Sequence, residues 1–139
     1  MQQRQIREVM TPNPRALSPD ATVAEAARLM KEEDVGLVPL VEGGRLVGTA
    51  TDRDIAIRVV AEGKDPQSVS LRDIASTDLA TIDPQQDLAE ALRLMAEHQV
   101  RRLPVVEEDG RLIGIVSQAD VAVEAEPARV GETIEEISK

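Results

Sequence analysis

The sequence contains no phenylalanine, tyrosine, tryptophan or cysteine, and a single histidine among its 139 residues. The lack of cysteine excludes disulfides, thiolate metal sites and a cysteine nucleophile. The lack of aromatic rings means that a flat ligand must lie between aliphatic, proline or arginine side chains. With one histidine and no cysteine, a transition-metal site is not expected, because the usual nitrogen and sulfur ligands are missing.

Catalytic patterns are also missing. His98 stands in Glu97-His98-Gln99 at the end of an expected helix, where a surface or capping role is favoured over catalysis. A Ser-His-Asp arrangement has no nucleophile elbow to support it. We therefore expect neither an enzyme nor a cofactor.

The chain is acidic, with a net charge of -10, which argues against nucleic acid or an anionic membrane as the main partner. No apolar run approaches membrane-spanning length, and residues 1–10 lack the apolar region of a signal peptide. A hydrophobic fraction of 42% suffices for a core. These features predict a soluble cytoplasmic protein with no nucleic-acid or membrane partner. Sixteen lysines and arginines still allow a local cationic pocket.

The sequence is a tandem duplication. When Arg7 is aligned with Arg72, matching residues continue through most of the chain, with one extra residue in the second copy at the turn 107–109. The matched pairs include Pro19 and Pro84, Met30 and Met95, Pro39 and Pro104, Gly48 and Gly114, and Asp54 and Asp120. The duplication predicts one repeat over 6–62, a linker over 63–70, a second repeat over 71–126 and an acidic tail over 127–139.

Each repeat has the pattern β-α-β-β-α, which predicts an α+β fold. Capping-box patterns at Thr22 and Asp87 predict the start of the first helix in each repeat. Its expected buried stripe consists of Val23, Ala26, Ala27 and Met30, matched by Leu88, Ala91, Leu92 and Met95. Two short strands follow, and the last helix begins at Thr51 or Ser117. Because one repeat alone buries little apolar surface, we expect the two to pack on each other.

The junction between the last strand and the last helix is written twice, as Gly-x-x-Thr-x-x-Asp over 48–54 and as Gly-x-x-Ser-x-x-Asp over 114–120. The ordinary interpretation of each junction is a helix cap. A carboxylate at this place also suits ribose hydroxyls, and the Thr or Ser hydroxyl with exposed helix N–H groups suits a phosphate. The two interpretations are compatible.

This tandem β-α-β-β-α pair, with a Pro-containing strand and a repeated Gly-x-x-[Thr/Ser]-x-x-Asp junction, resembles the CBS-domain pair, or Bateman module. The resemblance covers nearly the whole chain and is closest to small stand-alone bacterial CBS-pair proteins, including the hypoxic-response type. It implies repeats packed about a pseudo-two-fold axis, a disc-like homodimer, and two clefts for adenosine ligands such as AMP, ADP, ATP or S-adenosylmethionine.

The resemblance also implies the site residues. One cleft would combine Thr51 and Asp54 with Leu79, Ala80 and the phosphate-binding pair Arg101-Arg102, and the other would combine Ser117 and Asp120 with Pro14 and Arg15. Taken alone, Arg101-Arg102 is equally explained as a solvated basic pair. The first repeat has Gly36-Leu37 at the matching positions, so we expect the first cleft to favour a charged nucleotide.

Two functions follow as hypotheses. The leading one is a regulatory module that binds adenosine nucleotides and transmits occupancy through dimer contacts or an unidentified protein partner. The alternative is a structural or protein-interaction dimer whose junctions are helix caps only.

Overall fold

The computed structural model describes residues 4–124 and has mixed helix and strand content. In chain order the elements are α1 (Ile6–Val9), β1 (Thr11–Pro12), α2 (Val23–Glu33), β2 (Leu37–Glu42), β3 (Arg45–Thr51), α3 (Asp52–Ile55), a π-helical turn (Ala56–Val60), a 3-10 turn (Leu71–Asp73), α4 (Leu88–His98), β4 (Arg102–Val106), β5 (Leu112–Ser117) and α5 (Gln118–Glu124). The predicted α+β fold with two similar repeats is confirmed. The acidic tail expected over 127–139 lies outside the described residues.

The two long helices begin where their capping residues predict. The Thr22 hydroxyl accepts the Glu25 N–H at 3.2 Å, and the Asp87 carboxylate accepts the Glu90 N–H at 2.8 Å. Both helices end on a left-handed residue, Asp34 in α2 and Gln99 in α4. Each N-cap satisfies an amide that has no partner within its helix, which explains why the helices start at these residues.

The strands form two small sheets. β2 and β3 pair as an antiparallel hairpin around the Gly43-Gly44 turn, where both glycines have positive φ. β5 lies between β1 and β4 in a three-stranded sheet. The short extended pieces predicted before α2 and α4 are single parallel bridges, Leu17 with Leu40 and Ile82 with Val105.

The described chain divides into two units. The first-repeat unit contains residues 15–79 and 109–112, and the second-repeat unit contains residues 4–14, 80–108 and 113–124. Each has its own aliphatic core. The core of the first-repeat unit consists of Val23, Ala26, Leu29, Met30, Val38, Leu40, Ala50, Val59, Leu71 and Ile74. The core of the second-repeat unit consists of Ile6, Ile82, Ala91, Met95, Leu103, Val105, Val116 and Val121.

The segment that opens each sequence repeat packs into the unit built by the other repeat. Leu71 and Ile74 are buried in the core of the first-repeat unit, whereas Ile6 is buried in the core of the second-repeat unit. Residues 63–70 also belong to the first-repeat unit, where the Val23 N–H donates to the Val69 carbonyl at 3.0 Å. The unit borders therefore differ from the duplication borders at 6–62 and 71–126.

Gly48 and Gly114 lie where these opening segments cross the sheets. A Cβ on Gly48 would lie 3.2 Å from the Ser76 carbonyl oxygen. A Cβ on Gly114 would meet the Met10 sulfur and lie 3.0 Å from the Thr11 carbonyl oxygen. At both positions another stretch of backbone therefore lies close to the glycine, as is common where a residue has no side chain.

The buried stripe of the two long helices differs from the prediction at one matched position. Ala27 and Leu92 are exposed, while Leu29 is buried. Because each helical residue turns the chain by ~100°, Ala27 lies roughly 90° from the centre of the arc that faces the core. The predicted stripe therefore wrongly included Ala27 on one side of the helix and wrongly left out Leu29 on the other.

We expect Gly114→Ala to destabilise the protein by roughly 1–3 kcal/mol, because the new methyl group overpacks the crossing of β1 and β5. Urea unfolding followed by far-ultraviolet circular dichroism measures the change. Adding Met10→Ala removes the sulfur contact, so Gly114→Ala should cost less in that background. An equal cost in both backgrounds would show that the crowding against Met10 is not the cause.

Candidate functional site

The first junction is a reciprocal capping box between the end of β3 and the start of α3. The Thr51 hydroxyl accepts the Asp54 N–H at 3.1 Å, and Asp54 Oδ2 accepts the Thr51 N–H at 3.0 Å. Both residues are partly buried. The bonds satisfy two amides that the helix leaves open and hold the carboxylate of Asp54 against the end of the strand.

The remaining amides at this helix start are also paired. The Asp52 N–H donates to the Gly36 carbonyl at 3.0 Å, and the Arg53 N–H donates to Asp52 Oδ1 at 2.8 Å. The exposed helix N–H groups expected for a phosphate are therefore not available at Thr51–Asp54. The reason is that the Gly36 carbonyl, the Thr51 hydroxyl and the carboxylates of Asp52 and Asp54 already accept them. A ligand at this junction would contact side chains and not free backbone amides.

Arg58 contacts this junction, although sequence reasoning did not select it. Its Nε lies 4.0 Å from Asp54 Oδ1, and its Nη1 donates to the Ile74 carbonyl at 3.1 Å. The Asp54 side chain is 18% exposed and that of Arg58 is 54% exposed, so the pair faces solvent on the arginine side. The signal in the sequence was the spacing of four residues, which places two side chains on the same face of a helix.

The second junction repeats the first. The Ser117 hydroxyl accepts the Asp120 N–H at 3.0 Å, and Asp120 Oδ2 accepts the Ser117 N–H at 3.2 Å. The Gln118 N–H donates to the Arg101 carbonyl at 2.8 Å, as Asp52 does to Gly36 in the first repeat. The structure therefore brings Thr51 together with Asp54, and Ser117 together with Asp120.

The basic pair Arg101-Arg102 lies at the start of β4, next to the Ser117–Asp120 junction of its own unit. Arg101 is exposed and Arg102 is partly buried. The residues that sequence reasoning grouped in the first cleft are divided between the units. Thr51, Asp54 and Leu79 belong to the first-repeat unit, and Ala80, Arg101 and Arg102 belong to the second-repeat unit.

The residues grouped in the second cleft are divided in the same way. Ser117, Asp120 and Pro14 belong to the second-repeat unit, whereas Arg15 begins the first-repeat unit. The Nη1 of Arg15 lies 3.1 Å from carboxylate oxygens of both Glu32 and Glu33, at the end of α2. Hydrogen bonds to Glu33 and then Glu32 raise the pKa of Arg15. A phosphate would compete with two carboxylates for this side chain.

Residues 4–124 contain no group of three histidine, cysteine, aspartate or glutamate side chains placed to hold a metal ion. His98 is the last residue of α4 and is exposed. No helix within the same range is long and apolar enough to cross a membrane.

Comparison with known proteins identifies the family. The model of the CBS domain matches residues 6–61 and again residues 71–125. The chain is 45% identical to the CBS domain-containing protein YhcV of Bacillus subtilis over 85% of this chain and 83% of YhcV. It is 38% identical to hypoxic response protein 1 of Mycobacterium tuberculosis over 84% of this chain and 81% of that protein. The chain belongs to the CBS-domain family and contains a tandem pair of these domains, as the sequence predicted.

Solved structures share the fold. The crystal structure of Hypoxic Response Protein I with two coordinated zinc ions has a TM-score of 0.82 and 36% identity, over 88% of this chain and 100% of that one. The hexameric CBS-CP12 protein from bloom-forming cyanobacteria has a TM-score of 0.78 and 29% identity, over 92% and 75% of the two chains. This chain has one histidine and no cysteine, the residues that supply nitrogen and sulfur ligands to zinc.

We expect Thr51→Val to lower the free energy of unfolding by roughly 0.5–2 kcal/mol, because valine keeps the shape of threonine but cannot accept the Asp54 N–H. Urea unfolding followed by circular dichroism measures the loss. Thr49→Val, within β3, is the matched control and should change stability little, since β-branched residues favour strands. Equal effects of the two substitutions would contradict a capping role for Thr51.

Proposed function

We propose that this CBS pair is a non-enzymatic regulatory module that binds adenosine nucleotides of the AMP, ADP or ATP type. The observation that supports this ligand class is the hydrogen bonding of the two junction carboxylates. Asp54 and Asp120 each use one oxygen, Oδ2, to cap a helix. The other oxygen makes no hydrogen bond within residues 4–124, so a partly buried acceptor is left for a pair of ribose hydroxyls.

The phosphate of such a ligand needs donors, and Arg101-Arg102 is the proposed source. The planar fork of arginine suits phosphate oxygens better than the point charge of lysine. We keep Leu79, Ala80, Pro14 and Arg15 as proposed lining residues of the two sites. We propose that Arg101-Arg102 bind the phosphate of a ligand held by Thr51 and Asp54. We propose as well that they contribute to the site of Ser117 and Asp120, which lies in their own unit.

Occupancy would be transmitted through a homodimer in the cytoplasm or through a protein partner. As candidate dimer contacts we propose the large apolar side chains that are exposed within residues 4–124, which are Ile57, Val60, Leu92 and Val100. A ligand that binds one arrangement of the dimer better than another shifts the population toward it. The CBS pair of protein MJ0100, which is 22% identical to this chain, was solved with 5-methylthioadenosine and S-adenosyl-L-methionine, which share the adenosine group with the proposed ligands but carry no phosphate.

A second function is a structural dimer without a physiological ligand. It is favoured by one observation, that the backbone amides of Thr51, Asp52, Arg53 and Asp54 are already satisfied within the protein. In that case the junctions are helix caps and nothing more.

Isothermal titration calorimetry with AMP, ADP, ATP and adenosine separates the two functions. We expect wild type to bind at least one nucleotide, and Asp54→Asn or Asp120→Asn to weaken binding about tenfold or more, because the amide keeps a cap acceptor but loses the charge. Asp73→Asn, on the exposed 3-10 turn, is the matched control.

Failure of wild type to bind any of the four at millimolar concentration would refute the regulatory proposal and leave the structural dimer. Because the chain has no tryptophan or tyrosine, nucleotide that co-purifies with it is also readily seen in the ultraviolet spectrum.

A further inference from the structure

We propose that Arg58 makes the Thr51–Asp54 junction select ligands that carry an anionic group next to their diol, so that this site distinguishes a nucleotide from a nucleoside. The inference rests on the proposed function, because it assigns a specificity-determining residue to the same site.

The first step is the position of the guanidinium. Its Nε faces the Asp54 oxygen that the cap leaves open, at 4.0 Å. A ligand diol that binds this oxygen therefore arrives beside a positive charge. The attraction of this charge for an anionic group on the ligand weakens as water and salt gain access.

The second step is that Arg58 is held in place. Its Nη1 donates to the Ile74 carbonyl at 3.1 Å. The next residue, Val59, is fully buried in the core of the first-repeat unit and fixes the backbone of the π-helical turn. Within the described residues, Nη2 of Arg58 has no hydrogen-bond partner. The side chain thus presents open donors from an anchored position, which lowers the entropy lost on binding an anion.

The third step is that the junction needs such a cation. Two carboxylates, Asp52 and Asp54, lie within one turn of helix, and the chain as a whole carries a charge of -10. A phosphate near these groups is repelled unless a positive charge offsets them. In the sequence, the second repeat has Glu124 at the position that matches Arg58, so the selectivity belongs to the first junction.

Calorimetry with AMP and adenosine tests the proposal in an Asp120→Asn background, which removes the second site. We expect Arg58→Gln to weaken the binding of AMP about tenfold and the binding of adenosine by less than about threefold. Arg53→Gln is the matched control, because Arg53 is exposed on α3, directly before the π-helical turn that carries Arg58, and its side chain makes no hydrogen bond within residues 4–124. Arg58→Lys, which keeps the charge, should retain most of the preference for AMP.

The salt dependence supplies a second measurement. Raising the salt concentration to ~0.5 M should weaken AMP binding more in the Asp120→Asn parent than in the Arg58→Gln variant of it, because screening acts on the charge that the variant lacks. Circular dichroism checks that each variant is folded. If Arg58→Gln is not folded, the Arg58→Lys variant and the salt series of the parent decide.

Equal losses for AMP and adenosine, or no loss for either, would overturn the role of Arg58 and leave the proposed function standing. If wild type binds AMP but the Asp120→Asn parent does not, the first junction is not a nucleotide site and the inference is refuted. If wild type binds neither ligand nor ADP or ATP, it is the proposed function that fails, and Arg58 selects nothing.

Discussion

The close approach of backbone at Gly48 and Gly114 is the constraint on which the rest of the structure depends. Thr49 and Ser76 exchange two backbone hydrogen bonds beside Gly48, at 3.0 and 2.9 Å, and β1 pairs with β5 beside Gly114. A Cβ at Gly48 would crowd the Ser76 carbonyl oxygen at 3.2 Å, and a Cβ at Gly114 would clash with the Met10 side chain and crowd the Thr11 carbonyl oxygen at 3.0 Å. Since those segments carry Leu71, Ile74 and Ile6 into the two cores, the absence of two Cβ atoms determines how each core is completed.

The same strands then end in a cap that also prepares a site. The carboxylate that satisfies the strand-end amide through one oxygen is held partly buried with its other oxygen open, in both repeats. In the proposed function, stability and ligand recognition would therefore use different atoms of one side chain. A consequence is that the helix dipole and amides contribute less to anion binding than an uncapped helix start would, and cationic side chains become more important.

Those side chains differ between the repeats even though the capping hydrogen bonds of the two junctions match. The first junction has Arg58 beside its aspartate, whereas the second has the backbone of Arg101 at the start of its helix. Under the proposed function, the repeated junction would place the diol in each repeat, and the side chains around it would set the charge that each site accepts. In a chain with a net charge of -10, such local cations would have a large effect on the binding of an anionic ligand.

The sequence by itself determined the duplication, the family, the helix starts at Thr22 and Asp87, and the paired residues of each junction. These features follow from local spacing, because caps, turns and glycine positions depend on neighbours a few residues apart. Only the tertiary structure decided which unit Leu71 and Ile6 complete, that Leu29 replaces Ala27 in the core, and that Arg58 reaches both Asp54 and the Ile74 carbonyl. These contacts join residues distant in the chain or depend on the exact face a helix buries, and periodicity does not contain that information.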